Sequence, residues 1–170
     1  MRLLATIALI TACSTARAGE ISDLYEASGN NSKDVQIVEF RLGRNADHGI
    51  TEMGIERTAC FGQCPIYTLV VKSDGTFRYI GEANVTHLGT HTGKISDSEF
   101  DWLAEFIKDS GYMDLKDGYV MQVTDLPTIY TMVVMNGQKK VIKHYGFDGP
   151  SSLSVTEVLI DRLLEGATWN

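Results

Sequence analysis

The chain has 170 residues, 15 basic and 22 acidic, for a formal net charge of -7. That length suits one hydrophobic core better than two, and an acidic balance without a broad basic footprint argues against nucleic acid as a partner. No internal repeat of useful length is present, which leaves solenoids and propellers out.

The N-terminus reads as an export signal. Met1-Arg2 gives a short positive start, Leu3 to Ile10 an apolar run, and small residues follow at once. The run is too short to cross ~30 Å of hydrocarbon, which takes roughly 20 helical residues. Two cleavage sites compete. Ile10-Thr11-Ala12-Cys13 resembles the lipobox of bacterial lipoproteins, in which the cysteine becomes the lipidated first residue. Ala16-Arg17-Ala18 before Gly19 instead has the small-x-small form of an ordinary signal peptidase site. The position of Cys13 directly after the apolar run favours a signal over residues 1–12 and lipidation at Cys13, with a signal over 1–18 as the alternative. Loss of Arg2 takes the charge to -8, and loss of Arg17 as well takes it to -9.

Residues 13–34 read as a tether or flexible arm, because their few apolar side chains cannot offset the entropy of ordering the whole stretch. A single domain is expected over 35–167. Gln36 to Leu42 and Thr51 to Thr58 are expected strands, and Ile66 to Lys72 and Thr76 to Gly81 form a hairpin around Ser73-Asp74-Gly75. Tyr67, Leu69 and Val71 share one face, as do Phe77 and Tyr79, and these two sets mark the core side. A short strand follows near Val85 to Ile95. The period then changes: Ser96-Asp97-Ser98-Glu99 is a capping box, Phe100, Leu103 and Ile107 form a stripe, and Gly111 is a stop. This predicts a helix from Asp97 to Ser110.

Tyr112 to Thr128 reads mostly as loop, and a second hairpin spans Ile129 to Met135 and Gln138 to Tyr145 around Asn136-Gly137. Pairing Met135 with Gln138 puts Tyr130, Met132, Val134, Val141 and Tyr145 on one face, and Ile129, Val133, Ile142 and His144 on the other. Lys139, Lys140 and Lys143 then sit on a charged, solvated strand. Ser154-Val155-Thr156-Glu157 offers a second capping box, with Leu153 as a staple onto Val158. The order predicts an α+β fold, an antiparallel sheet of hairpins with two helices packed against one side.

The segment Arg57-Thr58-Ala59-Cys60-Phe61-Gly62-Gln63-Cys64-Pro65-Ile66-Tyr67 resembles the signature of DUF6438, a family of uncharacterised bacterial domains found in envelope and secreted proteins. A Thr-Asp-Leu-Pro element at Thr124 to Pro127 and a His-Tyr-Gly element at His144 to Gly146 belong to the same resemblance, which covers roughly Val38 to Leu164. It implies one domain of conserved type and no established activity. It also marks Arg57, Tyr67, Asp125 and His144 as candidate functional residues.

If Cys13 carries lipid, Cys60 and Cys64 remain as an even pair in an oxidising compartment, which favours a structural disulfide closed through Gly62. Two alternatives stay open at the pair: soft-metal (copper) binding with an imidazole from His144, His87 or His91, and thiol redox chemistry, although the usual redox motif has two intervening residues rather than three. A hydrolytic site using His144 and Asp125 also stays open, against readings of His144 as a hydrogen-bonded structural histidine and Asp125 as a turn-former. No nucleophile elbow and no His-Glu-x-x-His zinc helix is present. The sequence therefore predicts an exported envelope domain serving as a disulfide-stabilised structural or binding module. It needs no cofactor. Its expected attachments are the membrane, through the lipid on Cys13, and an unknown envelope protein or ligand, with the domain held at the outer membrane facing the periplasm or the surface, or alternatively soluble in the periplasm or secreted.

Overall fold

A computed structural model describes residues 19–27 and 48–170. The leader, Cys13 and the strand expected over Gln36 to Leu42 lie outside the described residues. The sheet is built from β1 (Ile50–Arg57), β2 (Ile66–Lys72), β3 (Thr76–Ala83), β4 (Gly89–Lys94), β5 (Gly118–Val120), β6 (Thr128–Met135), β7 (Gln138–Tyr145) and β8 (Thr168–Trp169). Its order is β5-β7-β6-β1-β2-β3-β4-β8, so β1 lies between the two hairpins, and every neighbour is antiparallel except the β5–β7 pair.

Both hairpins follow from their turns. Asn136 and Gly137 take φ of 52° and 77°, the left-handed pair that a two-residue hairpin turn needs, and Met135 pairs with Gln138. In the first hairpin, the Asp74 carboxylate accepts from the Thr76 N–H at 2.9 Å and from its hydroxyl, which holds Asp74 below its usual pKa. The faces fall as the alternation predicts. Tyr67, Leu69, Val71, Phe77, Tyr79, Val133 and Ile142 join Phe100, Leu103, Ile107, Leu153 and Ile160 in the main core. The helices covering this face are α2 (Asp97–Asp109) and α3 (Ser151–Arg162). The Ser96–Glu99 capping box starts α2.

The other sheet face is covered too, which corrects the one-sided arrangement and the reading of residues 13–34 as a tether throughout. A third helix, α1 (Glu20–Ala27), lies across it. Ile21 and Tyr25, one turn apart, are buried against Val70, Tyr130, Met132 and Val141 in a second apolar cluster, with Leu24 packed beside them. Gly54 permits the approach: a Cβ there would come within 3.0 Å of Ile21 Cδ1 and 2.8 Å of the Leu69 carbonyl oxygen. The Glu56 carboxylate accepts from the backbone N–H of Ile21 at 3.1 Å and of Ser22 at 2.9 Å, and from the Ser22 hydroxyl at 2.6 Å. It thus satisfies donors that a helix start leaves open.

Three further expectations are corrected. The stretch read as loop contains a 3-10 turn at Tyr112–Asp114 and the short parallel strand β5. Lys139 and Lys140 are buried rather than solvated; the Lys140 ammonium donates to the Leu115 carbonyl at 2.6 Å and is paired with Asp117. Helix α3 starts at Ser151 with Pro150 as its cap, so Ser154 and Glu157 lie inside it and form no capping box. Pro fits that position because its fixed φ and missing N–H cost a helix start nothing.

Candidate functional site

Strand register sets one row of side chains beneath α3: Tyr67, Arg57, Ile129, His144 and Tyr119 are successive partners from β2 to β5. Two acids one turn apart on α3, Glu157 and Asp161, close over the row. The Arg57 Nη2 donates to Asp161 Oδ2 at 2.5 Å, and its Nε lies 3.3 Å from Asp161 Oδ1 and 3.2 Å from the Tyr67 hydroxyl oxygen. The Tyr67 hydroxyl donates to the same Oδ1. Burial and the adjacent Asp161 carboxylate push the Tyr67 pKa up. For Arg57, burial pulls the value down but the hydrogen-bonded carboxylate outweighs it, and the net shift is upward. At the other end of the row, His144 Nδ1 stands 2.7 Å from Glu157 Oε1, both residues buried. That hydrogen bond raises the imidazole pKa against the opposing effect of burial. His144 Nε2 is buried and has no hydrogen-bond partner among the described residues.

The row stands at one end of the sheet, and the strand directions bring four connections to that end: residues 58–65, 84–88, 121–127 and 146–150. The three sequence elements that carried the resemblance therefore meet there. Cys60 and Cys64 are joined by a disulfide with their Cα atoms 5.8 Å apart. Gly62 closes the loop without positive φ, through its N–H to the Cys60 carbonyl at 2.9 Å. The connections are braced against each other. Thr58 N–H donates to the Thr128 carbonyl at 3.0 Å, Thr128 N–H to Thr58 Oγ1 at 2.9 Å, Phe61 N–H to the Asp125 carbonyl at 3.2 Å, and Asn84 Nδ2 to the Cys64 carbonyl at 2.9 Å. Met121 N–H reaches the Tyr145 carbonyl at 3.0 Å, and Gly146 runs so close to Met121, at φ 98°, that a Cβ would sit 2.9 Å from its Cβ. From this frame Phe61 projects 89 % exposed and Phe147 83 % exposed, with Leu88, Val120 and Val123 also exposed nearby in the chain. The four connections contain only two formally charged side chains, Asp125 and Asp148.

Residues 51–164 match the family described as a domain of unknown function, DUF6438. The chain belongs to this family. No curated protein matches it. The DUF6438 domain brings Arg57 and Tyr67 together on Asp161, and gives His144 to Glu157. It does not join His144 to Asp125: the Asp125 carboxylate accepts from the Thr124 hydroxyl at 3.0 Å, and its backbone, in the left-handed region at φ 72°, supports Phe61. Asp125 is thus a turn residue that props the disulfide loop, and His144 is a hydrogen-bonded core histidine.

Asp161 and Glu157 escaped the sequence reading. Their i, i+4 spacing on an otherwise buried helix face was the available signal, and the apparent capping box at Ser154 concealed Glu157. His87 and His91 have another occupation in the DUF6438 domain: His87 stacks on Trp169 with centroids 4.2 Å apart, and His91 hydrogen-bonds the Leu88 carbonyl oxygen at 2.9 Å. Among the described residues no three His, Cys, Asp or Glu side chains gather as a metal-holding group. The arrangement is a charge-poor loop end with exposed Phe61 and Phe147, set over a buried polar row.

Proposed function

We propose that the chain is an exported binding module of the bacterial envelope, anchored by lipid on Cys13 and using its braced loop end as the contact surface. The carrying observation is that the Cys60–Cys64 loop, the Thr124–Pro127 turn and the His144–Gly146 bend hold one another in place while Phe61 and Phe147 stay in solvent. Preorganised apolar anchors favour binding because little freedom is left to lose on contact. In this reading the disulfide shapes the surface rather than exchanging electrons. Ser14 after Cys13 favours sorting to the outer membrane, where the domain faces the periplasm or the surface.

A photo-reactive amino acid at position 61 or 147, illuminated in intact envelopes, should form adducts with a neighbouring envelope component, protein or lipid. The same group at exposed Glu105 on α2 should not. Equal labelling from all three positions, or none from 61 and 147, would remove the loop end as the contact surface.

A further inference from the structure

We infer that the loop end faces and enters the interfacial layer of a lipid bilayer, the same bilayer that holds the chain by Cys13. This rests on the lipidated reading of Cys13 given above and names the occupant of that contact surface.

The route from anchor to surface is short. Six residues, Ser14 to Gly19, separate Cys13 from α1, and a fully extended stretch of that length spans about 20 Å. Helix α1 begins where Ile21 and Ser22 hydrogen-bond Glu56. It ends near Lys143, whose ammonium lies 3.9 Å from Glu26 and 5.7 Å from the Tyr25 ring centroid. Glu56, Tyr130 and Lys143 are successive partners across the sheet, one residue below the Arg57 row. Helix α1 thus crosses the strands at the level of Gly54 to Glu56, with Ile21 on Gly54 and Glu20 paired with Arg78, and Phe61 follows Glu56 by five residues. An anchor at Cys13 therefore keeps the Phe61 loop within reach of the membrane surface. The exposed apolar side chains of the helices, Trp102, Val155 and Val158, lie on the opposite sheet face from α1.

Chemistry selects the same end. Aromatic and aliphatic tips suit the boundary between headgroups and acyl chains. A chain starting at Cys13, with net charge -8 after loss of Arg2, is repelled by anionic lipid wherever its acidic groups approach, but the loop connections carry only Asp125 and Asp148 and present little of that charge. The disulfide and the cross-loop hydrogen bonds keep the apolar tips from folding back on the domain.

The test uses mature protein extracted from membranes, reconstituted into mixed phosphatidylethanolamine–phosphatidylglycerol vesicles containing brominated lipid. Intact mass first reports whether Cys13 carries acyl chains. Phe61→Trp and Phe147→Trp, at exposed positions that tolerate the change, are compared with Glu105→Trp, the native Trp102 and Trp169 being common to all. The expected result is a blue-shifted added emission, quenched by brominated lipid, for Phe61→Trp and Phe147→Trp only. If Cys13 is acylated and neither added tryptophan is quenched, bilayer docking is overturned; protein adducts from position 61 would then leave the module reading standing. A mature chain starting at Gly19 overturns the anchored geometry, and this inference with it, without removing the braced loop end as a protein-binding surface.

Discussion

Replacing Asp161 by Ala should cost about 3 kcal/mol, and the figure follows from what the carboxylate holds. It accepts two guanidinium bonds from Arg57 and one from the Tyr67 hydroxyl, and the Arg57 and Asp161 side chains are only 17 % and 29 % exposed. Breaking a fully buried pair costs about 3–5 kcal/mol and a surface pair about 0–1. A largely buried pair belongs between, near 2 kcal/mol, and a hydroxyl left without its acceptor adds about 1. Urea unfolding followed by circular dichroism is the assay. With a slope of roughly 1–3 kcal/mol/M, the midpoint should fall by about 1–3 M without a change of slope. Arg57→Ala should cost a similar amount, and the double variant much less than the sum, since both changes remove one interaction. Replacing the pair by Arg57→Met with Asp161→Leu should recover much of the loss, because apolar packing removes the stranded charge. A loss below about 0.5 kcal/mol for Asp161→Ala, the size of an ordinary surface change, or strict additivity with Arg57→Ala, would show that this pair does not hold α3 to the sheet.

Cys60→Ser with Cys64→Ser should lower stability by about 2 kcal/mol, the loop-entropy value for so short a closed loop, and non-reducing peptide mapping of the wild type should return the cross-linked peptide. Held above the usual imidazole value by Glu157, protonated His144 stabilises the fold fully below its unfolded pKa of about 6.5, and this contribution is lost as pH rises through the folded value. Glu157→Gln should flatten that pH dependence in urea titrations and return the His144 NMR titration toward its ordinary range. Ile21→Ala should weaken the docking of α1 by about 2–4 kcal/mol, seen as faster amide exchange in residues 20–27 with the central strands unchanged. Phe61→Ser should leave stability within about 0.5 kcal/mol, since its ring stands in solvent outside the core.

Local chemistry made much of the fold legible. Asn136-Gly137 announced both a turn and its register, and Ser96 with Glu99 fixed the start of α2, because each signal is completed within a few residues. The misreadings share another cause: the partner lies far away in sequence. Glu157 resembled the third position of a capping box, but His144 on the neighbouring strand takes its carboxylate. Lys140 resembled a solvated charge until Asp117 and the Leu115 carbonyl came beside it. Eight residues of α1 carry too few apolar positions to predict docking alone, and only the paired face of β6 and β7 shows what Ile21 and Tyr25 meet. Arg57 and Tyr67 were recognisable by resemblance, whereas Asp161, which joins them, sits 104 residues from Arg57.

The central position of β1 has a kinetic consequence. Its first partner, β2, follows closely, but its second, β6, is joined to it across a long interval, with Thr58 and Thr128 70 residues apart. Helix α1 also rests on β6 and β7, so neither sheet face closes until the second hairpin has been made. Non-local closure of this kind folds slowly, because chain entropy is lost before the contacts that compensate it form. Under the export proposed above, that delay would serve the chain: it stays threadable until its last strands arrive on the far side, where Cys60 and Cys64 can close.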